Sequence, residues 1–339
     1  MPREKTLKDI AQELGLSHTT VSRALNDHPR IRPETKELVR DAAERIGYLV
    51  NSSARRLRGH PSALVGLIVP DIRNPVFGEI ARIVSEMFSG TPTQLVLAVT
   101  GDNPEREEQS LRALAEAQVA GVLLVPSSTP TDATLRLLHR LRTTLLIREH
   151  PAVAANHVGL DEGQAIGRGV EHLAALGHRH IGFVGLHTTT SSGVNRLRGF
   201  MDGCARAGLP VDQRHIVLGR STPEFGQQAM TALFDEAGTP PSGIVIGGVQ
   251  QALGCIAFLD ARQLRTPEDL SVVALGDPPW FEFIRQGLTA IRLPIAEMAE
   301  AAAGLLLQDA SGRGPAPVSA TQLRFASTLV PRRSSGPPR

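Results

Sequence analysis

Between Gly15 and Asn26 the chain sets His18, Thr19, Ser22 and Arg23 on one side of a helical repeat and Val21, Ala24 and Leu25 on the other. The first group holds hydrogen-bond donors and acceptors and one guanidinium. Such groups suit recognition of a polar or anionic partner better than bond breaking. Elsewhere, His178-x-His180 with His172 and His187 nearby invites a metal reading, but His180 borders an apolar strand and a half-buried lead-in is the plainer account. Gly182-x-x-Gly185 and Gly247-Gly248 lack the full dinucleotide fingerprint and read as ordinary strand-to-helix turns. No Gly-x-Ser-x-Gly elbow and no His-Glu-x-x-His pair is present, so the sequence shows neither a nucleophile nor a metal for catalysis. The two cysteines, Cys204 and Cys255, form no disulfide framework and no metal spacing, and read as small buried apolar residues.

The elements that must position the polar row are legible. Thr6-Leu7-Lys8-Asp9 reads as a capping box, with Leu7, Ile10, Ala11 and Leu14 as the apolar stripe of a first helix that stops at Gly15. Ser17 caps a second helix across the short Gly15-Leu16-Ser17 link, the spacing of a helix-turn-helix. Pro33 opens a third, in which Leu38, Val39, Ala42, Ala43 and Ile46 are expected to cover the small core. Charge is uneven: residues 1–60 hold 12 Lys and Arg against 8 Asp and Glu, and the remainder 24 against 26. A basic end on a near-neutral body suggests a polyanion touched by that end; on charge alone, a solvated charged face stays open.

Behind this end, apolar strands alternate with helices. Strand-like Leu64–Val69, Gln94–Thr100, Gly121–Pro126 and Thr144–Ile147 are separated by helical Val76–Phe88, Arg106–Gln118 and Ala133–Leu141. A second series has strands near His180–Gly185, Gly243–Ile246 and Ser271–Leu275, with helices near Gly163–Leu176, Asn195–Ala207, Phe225–Glu236 and Gln250–Ala261. The expected class is α/β: an all-α headpiece before two doubly wound parallel sheets that face each other across a ligand cleft. No apolar run reaches membrane-span length, and Arg3, Glu4, Lys5, Lys8 and Asp9 stand where a signal peptide would be apolar, so a cytoplasmic protein is expected.

The segments Thr6-Leu7-Lys8-Asp9-Ile10-Ala11 and Gly15-Leu16-Ser17-x-x-Thr20-Val21-Ser22-Arg23-Ala24-Leu25-Asn26 resemble the lac repressor (LacI/GalR) family of bacterial transcription regulators. Arg30-x-x-Pro33-Glu34-Thr35 and Ile46-Gly47-Tyr48-x-x-Asn51 continue the likeness, with Val50 where the family usually has Pro. The resemblance implies DNA contacts from Thr6, Leu7, Ser17, His18, Thr19, Thr20, Ser22, Arg23 and Asn26, and from a hinge helix carrying Asn51, Ala54, Arg55 and Leu57. Leu57 would wedge between base steps in the minor groove while Ala54 allows close approach; a plain basic linker is the alternative. The implied protein is a homodimer, or a higher assembly, on a pseudo-palindromic operator, with a small-molecule effector, no cofactor and no metal. A solute-binding protein without DNA function fits the headpiece poorly, and an enzyme on the same fold lacks visible chemistry.

The likeness continues through Gly66-Leu67-Ile68-Val69-Pro70-Asp71, Glu171-His172-Leu173, Arg196-x-x-Gly199-Phe200 and Asp269-Leu270-Ser271-Val272-Val273, to about residue 334. It implies a headpiece at 1–50, a hinge at 51–61, a first subdomain of 62–160 plus 292–322, a second of 161–291 plus 323–334, and a flexible tail at 335–339. Crossings are expected near Leu160, Ile291 and Leu323, and Arg332-Arg333 reads as part of a solvated terminus. Effector contacts are implied for Asp71, Phe77, Arg148, Glu162, Arg196, Gly248 and Asp277. The family usually has Asn-Asp where this chain has Gly248-Val249, and another Asp where it has Gly276, with Asp277 next. Losing acids while keeping Arg196, Arg148 and His187 points to a sugar phosphate or small organic acid rather than a neutral sugar. A degenerate pocket, with control by protein level or a partner protein, stays open beside it.

Overall fold

A computed structural model describes residues 5–25, 28–48, 64–311 and 320–339, and the chain divides into two compact units, 1–62 and 63–339. In the first unit, α1 (Leu7–Leu14), α2 (His18–Leu25) and α3 (Pro33–Arg45) enclose Ile10, Ala11, Val21, Ala24, Val39, Ala42 and Ala43. The expected lid differs at one place: Leu38 is 49% exposed. Val39, Ala42, Ala43 and Ile46 recur at helical spacing, and the preceding residue is rotated about 100° off that stripe. The hinge, residues 51–61, lies outside the described residues.

The second unit holds two six-stranded sheets. The strands are β1 (Leu64–Val69), β2 (Gln94–Val99), β3 (Gly121–Leu124), β4 (Thr143–Leu146), β5 (Asn156–Leu160) and β6 (Ile181–Leu186). They continue with β7 (Ile216–Gly219), β8 (Gly243–Ile246), β9 (Ser271–Leu275), β10 (Thr289–Arg292), β11 (Gln322–Phe325) and β12 (Thr328–Val330). The orders are β11-β5-β4-β3-β1-β2 and β12-β10-β9-β8-β6-β7, parallel throughout except for β12 against β10. Helices α4 (Pro75–Met87), α5 (Pro104–Glu116), α6 (Asp132–Leu138) and α11 (Ile295–Ser311) accompany the first sheet. Helices α7 (Glu162–Ala175), α8 (Ser191–Arg206), α9 (Pro223–Thr231) and α10 (Val249–Ala261) accompany the second. Buried strands such as β3, β8 and β9 read as continuous apolar runs because both faces are covered.

Two boundaries differ from expectation. Leu323 and Phe325 pair with Val158 and Leu160 in the first sheet, so the third crossing falls at Ala326-Ser327, after β11 rather than at its second residue. The segment 335–339 is not a loose tail. Ser334 and Gly336 are buried; the Ser334 hydroxyl accepts from Thr289 N at 2.8 Å and donates to Val272 O at 2.7 Å. Gly336 O accepts from His178 Nε2 at 2.9 Å and Ser271 Oγ at 3.0 Å. Arg332 is likewise no solvated residue: its side chain is 16% exposed and bound to Asp277. Buried backbone polar groups need partners, and this segment finds them on β9, on β10 and at His178 before β6.

Candidate nucleic-acid interface and ligand cleft

The turn between α1 and α2 is built from local polar bonds. Asp9 Oδ2 accepts from the Thr6 amide at 2.7 Å and its hydroxyl at 2.8 Å, and Ser17 Oγ accepts from Thr20 N at 3.0 Å. Gly15, at φ 63°, ends α1 in the left-handed region that favours glycine. Thr6 and Ser17 thus orient helix starts, Leu7 is half-buried against the core, and Thr20 hydrogen-bonds Ser17 through its hydroxyl. His18, Thr19 and Arg23 are exposed and Ser22 is half-buried. Asn26, Asn51, Ala54, Arg55 and Leu57 lie outside the described residues.

Between the two sheets lies a cleft of about 690 Å³ at the carboxyl ends of their strands. Asp71, Phe77, Arg148, Glu162, Arg196 and Gly248 all line it, as does His187. Asp277 does not. Its carboxylate is 4% exposed and held by Arg332 at 2.7 Å and Arg292 at 2.7 Å, which fastens the C-terminal segment to β10. Burial alone would raise this carboxyl, but hydrogen bonds from Arg332 and Arg292 outweigh it and hold it below the ordinary 3.8.

Most cleft charges are already paired. Arg196 gives Nε to Glu162 Oε1 at 2.9 Å, Nη2 to the same oxygen, and Nη1 to Gly247 O at 2.6 Å. Glu162 is 2% exposed and Arg196 12%, a desolvated pair that holds α7 to α8 and to the end of β8. Arg148 donates to Asp102 Oδ1 at 2.6 Å and Pro126 O at 3.2 Å. Asp71 accepts Arg73 through both oxygens, and that hydrogen bond keeps its carboxyl below the ordinary range. Phe77 is the one Phe, Tyr or Trp among the described lining residues. The two cations expected to attract an anion, Arg196 and Arg148, are therefore committed to Glu162 and Asp102.

The departures at Gly248-Val249 and Gly276 are linked by packing. Gly276 has φ 95°, and a Cβ there would stand 2.3 Å from Val249 Cγ2. Val249, 4% exposed, occupies the space that a side chain at 276 would need. Gly248 caps α10 without a side-chain acceptor. Sequence reasoning overlooked Arg73, Asp102, Arg106, Ser192 and Arg220, all on the cleft wall. Arg106 and Arg220 follow the ends of β2 and β7, the positions a doubly wound sheet turns toward its ligand, so strand ends were the usable signal. His178 and His172, raised above as metal candidates, bond Gly336 O and Ser335 Oγ instead.

A helix-turn-helix joined in one chain to a two-sheet ligand cleft defines the class of ligand-responsive DNA-binding regulators. Residues 6–51 match the family described as bacterial regulatory proteins, lacI family, and residues 170–335 match a periplasmic binding protein-like domain. The HTH-type transcriptional regulator GalR of Salmonella typhimurium is 30% identical over 334 residues, covering 98% of this chain and 96% of that regulator. The transcriptional regulator CelR in its cellobiose complex is 25% identical, with TM-score 0.72 over 98% of this chain and 100% of that one. The lac repressor dimer bound to operator and the anti-inducer ONPF shares the fold, with TM-score 0.83, 22% identity and coverage of 98% and 100%. The chain belongs to the lacI family of bacterial regulatory proteins: it is a DNA-binding transcription regulator, not an enzyme. Among the described residues no helix is long and apolar enough to cross a membrane.

Proposed function

We propose that this regulator is a cytoplasmic repressor, working as a dimer on a pseudo-palindromic operator and controlled by a small molecule held between its two core subdomains. The carrying observation is the outward row of α2: His18, Thr19 and Arg23 are exposed and lack side-chain partners among the described residues. Caps and core packing orient that helix, so these groups meet base edges in a major groove, where a guanidinium can donate two bonds to one guanine. Thr6, Leu7, Ser17, Thr20, Ser22 and Asn26 complete the headpiece contacts. Asn51, Ala54, Arg55 and Leu57 enter the minor groove at the operator centre. Asp71, Phe77, Arg148, Glu162, Arg196 and Gly248 form the cleft wall that meets a sugar, sugar phosphate or small organic acid.

Genomic footprinting with the purified chain tests this reading. A few protected sites with two symmetric half-sites are expected, and Leu57→Ala should weaken both binding and bending there. Uniform protection of random DNA, or a single asymmetric footprint, would remove the proposal.

A further inference from the structure

Pairing sorts the cleft arginines into two kinds. The described lining carries the acids Asp71, Asp102 and Glu162, and the bases Arg73, Arg106, Arg148, Arg196 and Arg220. Each acid is engaged by one arginine: Asp71 by Arg73, Asp102 by Arg148, Glu162 by Arg196. Arg106 and Arg220 remain without a carboxylate among the described residues. The first stands in the opening turn of α5, in the first subdomain, and its Nη1 lies 3.5 Å from where a Cβ on Gly101 would be, over a residue of the cleft wall. The second follows β7 in the second subdomain, and its carbonyl accepts from Gln251 Nε2 at 3.1 Å.

We propose, resting on the effector reading above, that the cleft takes an anionic small molecule bearing phosphate or carboxylate, and that Arg106 and Arg220 are the residues that read its charge. Recruiting Arg196 would strip a nearly buried Glu162 of its partner, and recruiting Arg148 would free Asp102 beside the incoming anion. An unpaired, exposed guanidinium carries neither cost and offers a two-bond fork to either oxyanion. A further donor awaits on the same wall: Ser192, 1% exposed, has a hydroxyl without a partner and lines the cleft at the start of α8. The open first-turn amides of α10 behind Gly248, which no side chain caps, favour the same sign of charge. Because the two arginines belong to different subdomains, one anion held by both favours the arrangement in which Gln250 Nε2 donates across the cleft to Arg73 O at 2.7 Å.

The test is calorimetric titration of the full chain, at fixed ionic strength, with glucose 6-phosphate, citrate, inorganic phosphate and, as the neutral match, glucose. At least one anion is expected to bind and glucose to bind at least tenfold more weakly. Arg106→Gln and Arg220→Gln should each weaken the anion about tenfold or more, as loss of a charged hydrogen bond does, whereas the exposed Arg179→Gln, outside the cleft, should not. Citrate without the phosphates, or the reverse, identifies which oxyanion the cleft prefers within the proposal. Glucose binding as tightly, anion binding that survives either substitution, or no binding by any of the three anions overturns it. Footprinting of the unliganded wild type keeps the two readings apart: absence of specific protection there would remove the regulator, while failed titration beside intact footprints removes only the anion.

Discussion

The outward polar residues of α2 and the carboxylates of the cleft wall live under opposite rules. On α2, His18, Thr19 and Arg23 point outward without side-chain partners among the described residues, and their neighbours Val21, Ala24 and Leu25 pack against the core. In the cleft, Asp71, Asp102 and Glu162 have each taken an arginine, and Glu162 has done so almost without water. The same side-chain type, arginine, is thus free for a partner on α2, whereas in the cleft Arg73, Arg148 and Arg196 belong to the framework and, among the described residues, Arg106 and Arg220 do not. Its identity does not tell the two apart; its partner does.

The sharpest way to break this comparison is Arg196→Ala. A buried carboxylate left alone costs roughly 3–5 kcal/mol, so thermal unfolding should show a strongly destabilised core while the headpiece stays folded. A loss below about 1 kcal/mol would mean that the pair is hydrated and the cleft no different from a surface. Next, Gly276→Asp should cost roughly 2–4 kcal/mol, from a left-handed backbone and overlap with Val249. Adding Val249→Ala should return part of that loss in the same melts, and no recovery would show that packing does not link the two positions.

On the other side, Arg23→Ala should leave unfolding unchanged and cost roughly 1–3 kcal/mol of binding at a footprinted site, with much less change on random DNA. Equal losses on both DNAs would make it a phosphate contact. The smallest effect concerns acid. Burial holds the His178 and His172 imidazoles below the ordinary 6.5, so the neutral rings are the native forms. The stability they contribute is complete above about pH 6.5 and is lost as pH falls through the lower folded values, by at most about 1.4 kcal/mol per pH unit for each ring. Melting temperature against pH for wild type and His178→Gln checks this, and parallel curves would count against it.

The headpiece was legible because its information is local. Thr6, Gly15, Ser17 and Pro33 each act within a few residues, and one helical stripe accounts for the core except at Leu38. Seven strands were legible as apolar runs, but β5, β7, β10, β11 and β12 were not: they are three to five residues long, β5, β10 and β11 carry polar residues such as Asn156, Arg292 and Gln322, and β7 is mostly half-buried. The cleft was half legible. Asp71, Phe77, Arg148, Glu162, Arg196 and Gly248 do line it, yet their availability depends on partners far along the chain, 34 residues away for Glu162 and Arg196 and 46 for Asp102 and Arg148. Asp277 was misplaced for the same reason, since Arg332 lies 55 residues beyond it.

The pairing of β5 with β11 governs how the molecule folds. Gln322 meets His157, and α11 packs on α4 and on β3–β5, so the first sheet needs residues that arrive after five of the second sheet's six strands, β6 to β10, in the chain. A fragment of 64–160 would leave β5 as an open edge and the apolar face beneath α11 bare, a template for aggregation. The two halves of the core therefore form one cooperative unit. Its assembly waits on contacts of very high sequence separation, and this sets a slow folding rate whatever the final stability.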